Sequence, residues 1–173
     1  ALHCDARIVD KEGNTLGPEE RGEIVVRGPN IMTEYWNDPD ASAEVLKDGW
    51  FHTGDIGHTD ENGLFYVDDR VKDVIISGSE NIYPAELEMV LDQCADIAEA
   101  AVVGRVDEKW GEVPVAVIVP VEGKSLSRDG VLSLFDGQLA RYKHPRDVIF
   151  METLPRNVMG KVLKFELRDM VSP

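Results

Sequence analysis

Four positions could do chemistry, and each sits in a short segment of unusual composition. Asp55 closes the run GWFHTGD at 49–55. A carboxylate there can accept two hydrogen bonds from a pair of adjacent hydroxyls. Arg70 lies in DDRVKDVIISGSENIYPAELE at 68–88 and offers a forked, permanently charged set of donors. Gly78, in Ser77-Gly78-Ser79, suits a positive φ or the close approach of another chain or ligand. Lys161 follows Gly160 in LPRNVMGKVLK at 154–164 and supplies a compact cation for an anion. Each has a bland alternative. Thr-Gly-Asp also makes a capped turn. Arg70 could pair with Asp68 or Asp69, Gly78 could be a loop glycine, and a lysine is usually solvated.

A second basic group is Arg141-Tyr142-Lys143-His144-Pro145-Arg146. Its charges suit phosphates, and Tyr142 with Trp110 of KWGE offers faces for a purine. The alternative is structural: Trp110 covering the core and the rest fixing a loop.

Other patterns can be set aside. Gly160-Lys161 is not a phosphate-loop motif, because the first glycine is missing and Val162 replaces Ser or Thr. Asp60-x-Asn62-Gly63 resembles a calcium-loop start, but the twelfth position is Val71 rather than Glu. His3, His52, His58 and His144 have no ligand spacing, so no protein-bound metal is expected.

The elements that must position these residues change character along the chain. Residues 5–10, 23–27 and 64–67 read as strands broken by turns. Residues 40–47 read as a short helix capped by Asp40 or Ser42. After Asp69, strands at 73–77, 100–103, 114–119 and 148–151 alternate with helices. Pro84 starts the first of these, with Leu87, Val90, Leu91 and Cys94 on one face. Ser127 caps the next, running to about Ala140, and a last helix covers 161–171. A domain boundary is therefore placed between Asp69 and Arg70. The expected fold is α+β, with a β-rich segment at 1–69 and a small domain of short sheet and flanking helices at 70–173.

Composition sets the class. The 173 residues are 43% apolar and 29% charged, ordinary for a globular protein. No apolar run reaches the ~18 residues of a membrane helix, and no signal peptide is expected. With no initiator Met at its start, the chain is expected to be an engineered or an excised piece. Two distant cysteines, Cys4 and Cys94, fit a reducing compartment, with Cys94 a small buried hydrophobe. The net charge is −15, with 5 basic and 16 acidic side chains in 1–69. That excludes a general nucleic-acid binder. The local basic excess at 141–168 still suits one compact anion such as a nucleotide or CoA.

Taken in order and spacing, GWFHTGD, DDRVKDVIISGSENIYPAELE and LPRNVMGKVLK resemble three motifs of the adenylate-forming enzymes. These are the acyl- and aryl-CoA synthetases, luciferases and peptide-synthetase adenylation domains. EIVVRGPNIMTEYWNDP resembles the segment leading into the first motif, so the likeness spans nearly the whole chain. The resemblance implies activation of a carboxylic acid by ATP to an acyl-adenylate, then transfer to a thiol, with a small C-terminal domain taking two orientations. Residues 1–69 would end the large N-terminal domain and 70–173 would be the mobile one.

By the same resemblance, Asp55 binds the ribose and Arg70 reaches the ribose or phosphates. Lys72 is the hinge, Lys161 the catalytic lysine, and Gly78 lies on the loop beside the pantetheine tunnel. Trp110, Tyr142, Lys143, His144 and Arg146 are candidates for the nucleotide end of CoA. Met159 departs from the family's usual Ser or Asn, while the Gly-Lys pair is intact. The SG-x-ENIYP-x-E form favours a CoA ligase of fatty or other carboxylic acids over a peptide-synthetase piece, which would bring a carrier domain. A non-catalytic module retaining the fold is the other alternative. ATP, CoA and Mg2+ are the implied cofactors. The magnesium ion and the phosphate loop would belong to the missing N-terminal domain of the same chain, the implied partner. A cytoplasmic enzyme, inactive as this piece alone, is the expectation.

Overall fold

The structure, a computed structural model, describes residues 3–172. The chain separates into two compact units between Lys72 and Asp73.

The first unit is an antiparallel sheet. β1 (Asp5–Val9) pairs with β2 (Gly22–Arg27), and β2 pairs with β4 (Trp50–Thr59). β4 also pairs with β3 (Leu46–Lys47) and β5 (Phe65–Arg70). α1 (Pro39–Val45) precedes β3. Its cap is Asp38, which accepts from the Ala41 N–H at 3.0 Å, rather than Asp40 or Ser42. Pro39 takes the first helical position, where no N–H is needed, and this puts the cap at Asp38, two residues before Asp40. Ser42 is instead buried, donating to the Asp38 carbonyl at 2.6 Å.

The largest difference from expectation is β4, ten residues long and not read from the sequence. Gly54 and Gly57 disguise it. Gly57 is required there, since a Cβ would lie 2.2 Å from the Tyr66 carbonyl oxygen on β5. β5 continues through Arg70 into a 3-10 turn, Val71–Asp73. The division of the chain therefore falls inside that turn rather than after Asp69.

The second unit is α+β. Its centre is a long hairpin of β8 (Ile97–Asp107) and β9 (Gly111–Pro120). β10 (Asp147–Phe150) adds in parallel to β9. β6 (Ile75–Ser77) joins β9 at Ser77–Gly111 and pairs with β7 (Glu80–Ile82). Near-continuous apolar runs in β8 and β9 reflect burial on both faces. Val102, Ala116 and Ile118 face α2 (Pro84–Leu91), α3 (Arg128–Ser133) and Phe135. Ala101, Val103, Val115, Val117 and Val119 face Leu167 and Val171 of α4 (Lys164–Val171).

Three helices are shorter than predicted. α2 ends at Leu91, so Cys94 lies in the following turn, half-buried. α3 ends at Ser133, and Gly137 (φ +76°) stands in the left-handed conformation that stops further winding. α4 begins at Lys164, leaving Lys161 outside it. Phe135 is fully buried against α2 and α3. Phe135→Ala is expected to cost about 3–5 kcal/mol. A denaturant titration checks this, and a loss under ~1 kcal/mol would contradict the packing described.

Candidate functional site

In the first unit, Asp55 sits in the middle of β4, directly opposite Arg70 in register. Arg70 Nε lies 3.0 Å from Asp55 Oδ1, both side chains partly exposed. Neighbours on β2 pin the local backbone. Glu23 Oε1 accepts the Gly54 N–H at 3.0 Å and Oε2 lies 2.7 Å from His52 Nδ1. Thr53 Oγ1 donates to the Ile24 carbonyl and accepts the Asp55 N–H at 3.1 Å. Register shifts flank this stretch on both neighbouring strands, the kind of irregularity that re-aims a side chain. A groove runs past it, lined by Tyr35, Glu44, Phe51, His52, Gly54 and Arg70 among others. Lys72 occupies the 3-10 turn, exposed, where the chain passes from one unit to the other.

In the second unit, Gly78 is at the tip of the β6–β7 hairpin with φ +65°. Its N–H donates to the Trp110 carbonyl at 2.6 Å. Trp110 lies in the β8–β9 turn, held by Asp107 Oδ1, which accepts the N–H groups of Lys109 and Trp110. The Lys109 ammonium is 4.8 Å, and the Arg146 guanidinium carbon 6.0 Å, from the Trp110 ring centroid. Gly78, Trp110 and Arg146 are therefore neighbours, and Lys109 joins them.

The rest of the basic group is engaged elsewhere. Lys143 Nζ is 2.5 Å from Glu86 Oε2, with both side chains mostly buried. His144 Nε2 lies 3.0 Å from the Leu139 carbonyl oxygen, its ring against Phe135. Tyr142 is half-exposed beside Lys143.

Lys161 is exposed at the end of a tight turn, 157–161. Gly160 supplies φ +80° there. Among the described residues no carboxylate lies within ion-pair distance of its ammonium. Such a cation is available to a ligand rather than committed to the unit's own structure.

Residues 86–161 match the family described as the AMP-binding enzyme C-terminal domain. The chain is 57% identical over 172 residues to the indoleacetate–CoA ligase of Aromatoleum aromaticum, covering 99% of this chain and 34% of that protein. The chain belongs to the adenylate-forming enzymes. Among solved members, ATP-bound MatB from Rhodopseudomonas palustris superposes with a TM-score of 0.91 at 39% identity. That match covers 97% of this chain and 34% of the other. The o-succinylbenzoate CoA synthetase of Bacillus subtilis, in complex with its acyl-adenylate, gives 0.89 at 42% identity. It covers 97% of this chain and 34% of that one. The chain thus spans about a third of the length of the curated relative it matches.

For an adenylate-forming chain, three useful residues escaped sequence reading. Glu23 supports the Asp55 segment from 31 residues before Gly54, a separation no local pattern reveals. Lys109 was visible only as part of KWGE. Asn157 organises the Lys161 turn, and an Asn three residues before a Gly was a usable signal.

Proposed function

We propose that this chain is the C-terminal third of an ATP-dependent acid–CoA ligase. The whole enzyme converts a carboxylic acid and ATP to an acyl-adenylate and pyrophosphate, then passes the acyl group to CoA. The observation that carries this reading is the 57% identity with a CoA ligase across 99% of this chain. The units ending at Lys72 and starting at Asp73 then correspond to the end of the large domain and the mobile small domain.

Each site residue takes a role its geometry permits. Asp55, oriented by Arg70 and by the pinned Thr53–Gly54 backbone, accepts the ribose hydroxyls. Lys161 places its ammonium between the substrate carboxylate and the α-phosphate and stabilises the charge that builds during attack. Lys72, at the junction, absorbs the torsion change between two orientations. Gly78 borders the pantetheine path. For the nucleotide end of CoA the support favours Trp110, Arg146 and Lys109 over Lys143 and His144, which serve the fold. Tyr142 remains available as a stacking face.

Magnesium is assigned to the remainder of the enzyme. The substrate is an aromatic carboxylic acid rather than a fatty acid, supported by the names of the indoleacetate and o-succinylbenzoate enzymes. A cytoplasmic site fits the Cys usage. Among the described residues no helix is long and apolar enough to cross a membrane.

The test is a panel of aromatic, fatty and short branched acids offered to the full-length protein with ATP and CoA. AMP and an acyl-CoA are expected with an aromatic member. AMP formation with no acid at all would overturn the ligase reading. A companion result is expected for the 173-residue chain alone: no pyrophosphate exchange above background. Clear exchange would show that the phosphate-binding machinery does not lie elsewhere.

A further inference from the structure

We propose that Asn157 is a positioning residue for Lys161, a proposal that rests on the catalytic reading of that lysine. The turn from Asn157 to Lys161 has no buried side chain of its own: Val158 and Met159 are exposed, as is Lys161. Its conformation is therefore fixed by polar contacts rather than by packing. Asn157 makes most of them. Its Oδ1 accepts the N–H groups of Met159 at 3.0 Å and Lys161 at 2.9 Å. Its own N–H donates to the Lys161 carbonyl at 3.0 Å, and its carbonyl accepts the Gly160 N–H at 2.9 Å.

The side-chain bonds are the informative ones, because any residue but proline can supply the main-chain pair. An Asn or Asp oxygen that accepts from the backbone two and four residues on holds a turn closed. Here the second of those donors is the N–H of Lys161 itself. The turn is also anchored to the sheet. Arg156 donates to the Gly160 carbonyl at 2.6 Å and pairs with Glu99 on β8. Arg156 and Val162 bridge across the base of the turn. Asn157 thus sets the direction in which the lysine leaves a fixed platform, without touching a reactant.

Removing the side-chain acceptor frees two N–H groups to water and lets the turn sample other conformations. The cost falls on whichever step needs the ammonium in one place. A displacement on the order of 1 Å can cost up to ~10²-fold in rate. We expect the full-length Asn157→Ala enzyme to lose about tenfold or more in kcat for adenylation. Thioester formation from added acyl-adenylate should stay within about twofold, with the melting temperature unchanged. Asn157→Asp, whose carboxylate can accept the same two N–H groups, should recover most of the loss. Lys161→Ala is assayed alongside. Wild-type adenylation by Asn157→Ala while Lys161→Ala is inactive would overturn the proposal. Equal losses in both half-reactions, or an Asp variant as slow as the Ala one, would overturn it too. Full adenylation by Lys161→Ala would instead remove the catalytic reading beneath it.

Discussion

Replacing Lys161 by alanine in the full-length enzyme is expected to slow adenylate formation by about 10²–10³-fold, the scale of losing one preorganised charge at a developing oxyanion. Transfer of a supplied acyl-adenylate to CoA should remain within a few-fold of wild type. The asymmetry follows from where the lysine is. It lies outside α4, on an exposed turn, and no carboxylate of this chain's described residues pairs with it. Its removal should leave the unit's packing untouched, since Leu154, Leu167 and Val171 provide the core on that face. A fold defect would slow both steps; a missing charge at phosphorus slows only the step in which phosphorus is attacked. Pyrophosphate release and adenylate-to-thioester transfer, measured separately, decide the matter. Comparable losses in both assays would remove Lys161 from the first step. Arginine should not substitute freely, because its planar fork places charge differently from a compact ammonium.

The residue types at the site were legible in the sequence, but several of their surroundings were not. Asp55 stood out as a carboxylate after glycine, yet its position in the middle of β4 did not. Gly54 and Gly57 interrupt any alternating pattern. What makes those residues a strand is non-local: close approach of Tyr66, and Glu23 and Ile24 bonding to residues 52–54. Lys161 was expected at the start of a last helix read over 161–171. The side chain of Asn157 closes a competing turn through 161 and delays the helix to Lys164. Cys94 continued the apolar period of α2, but periodicity does not mark where a helix stops, and this one stops at Leu91. The basic group at 141–146 shows the opposite limitation. Its charges were evident, but only the partners Glu86 and Leu139, distant or on another element, separate Lys143 and His144 from Arg146.

Gly78→Leu in the full-length enzyme is expected to reduce thioester formation by about 10²-fold while adenylation changes by no more than a few-fold. Two independent features of the hairpin tip make this position intolerant. Its φ of +65° costs a residue with a Cβ roughly 1–2 kcal/mol. A Cβ would also stand 3.3 Å from Trp110 Cε3 and 3.6 Å from Cζ3. The added side chain must therefore displace the indole or unwind the turn, and the Gly78 N–H bond to the Trp110 carbonyl ties those outcomes together. If this junction borders the path of the CoA thiol, the damage appears when CoA attacks and not when ATP does. Gly78→Ala should fall between wild type and Leu, because it meets the same backbone strain with less bulk. The measurement is single-turnover transfer from preformed adenylate over a range of CoA concentrations, beside pyrophosphate release. Loss confined to pyrophosphate release would contradict the role given to Gly78. The Gly78 hairpin and the Lys161 turn belong to the same compact unit, so no single change in that unit's stability can produce opposite patterns from the two substitutions. Opposite patterns are what the proposed hinge at Lys72 leads one to expect, with the unit using a different tip in each half-reaction.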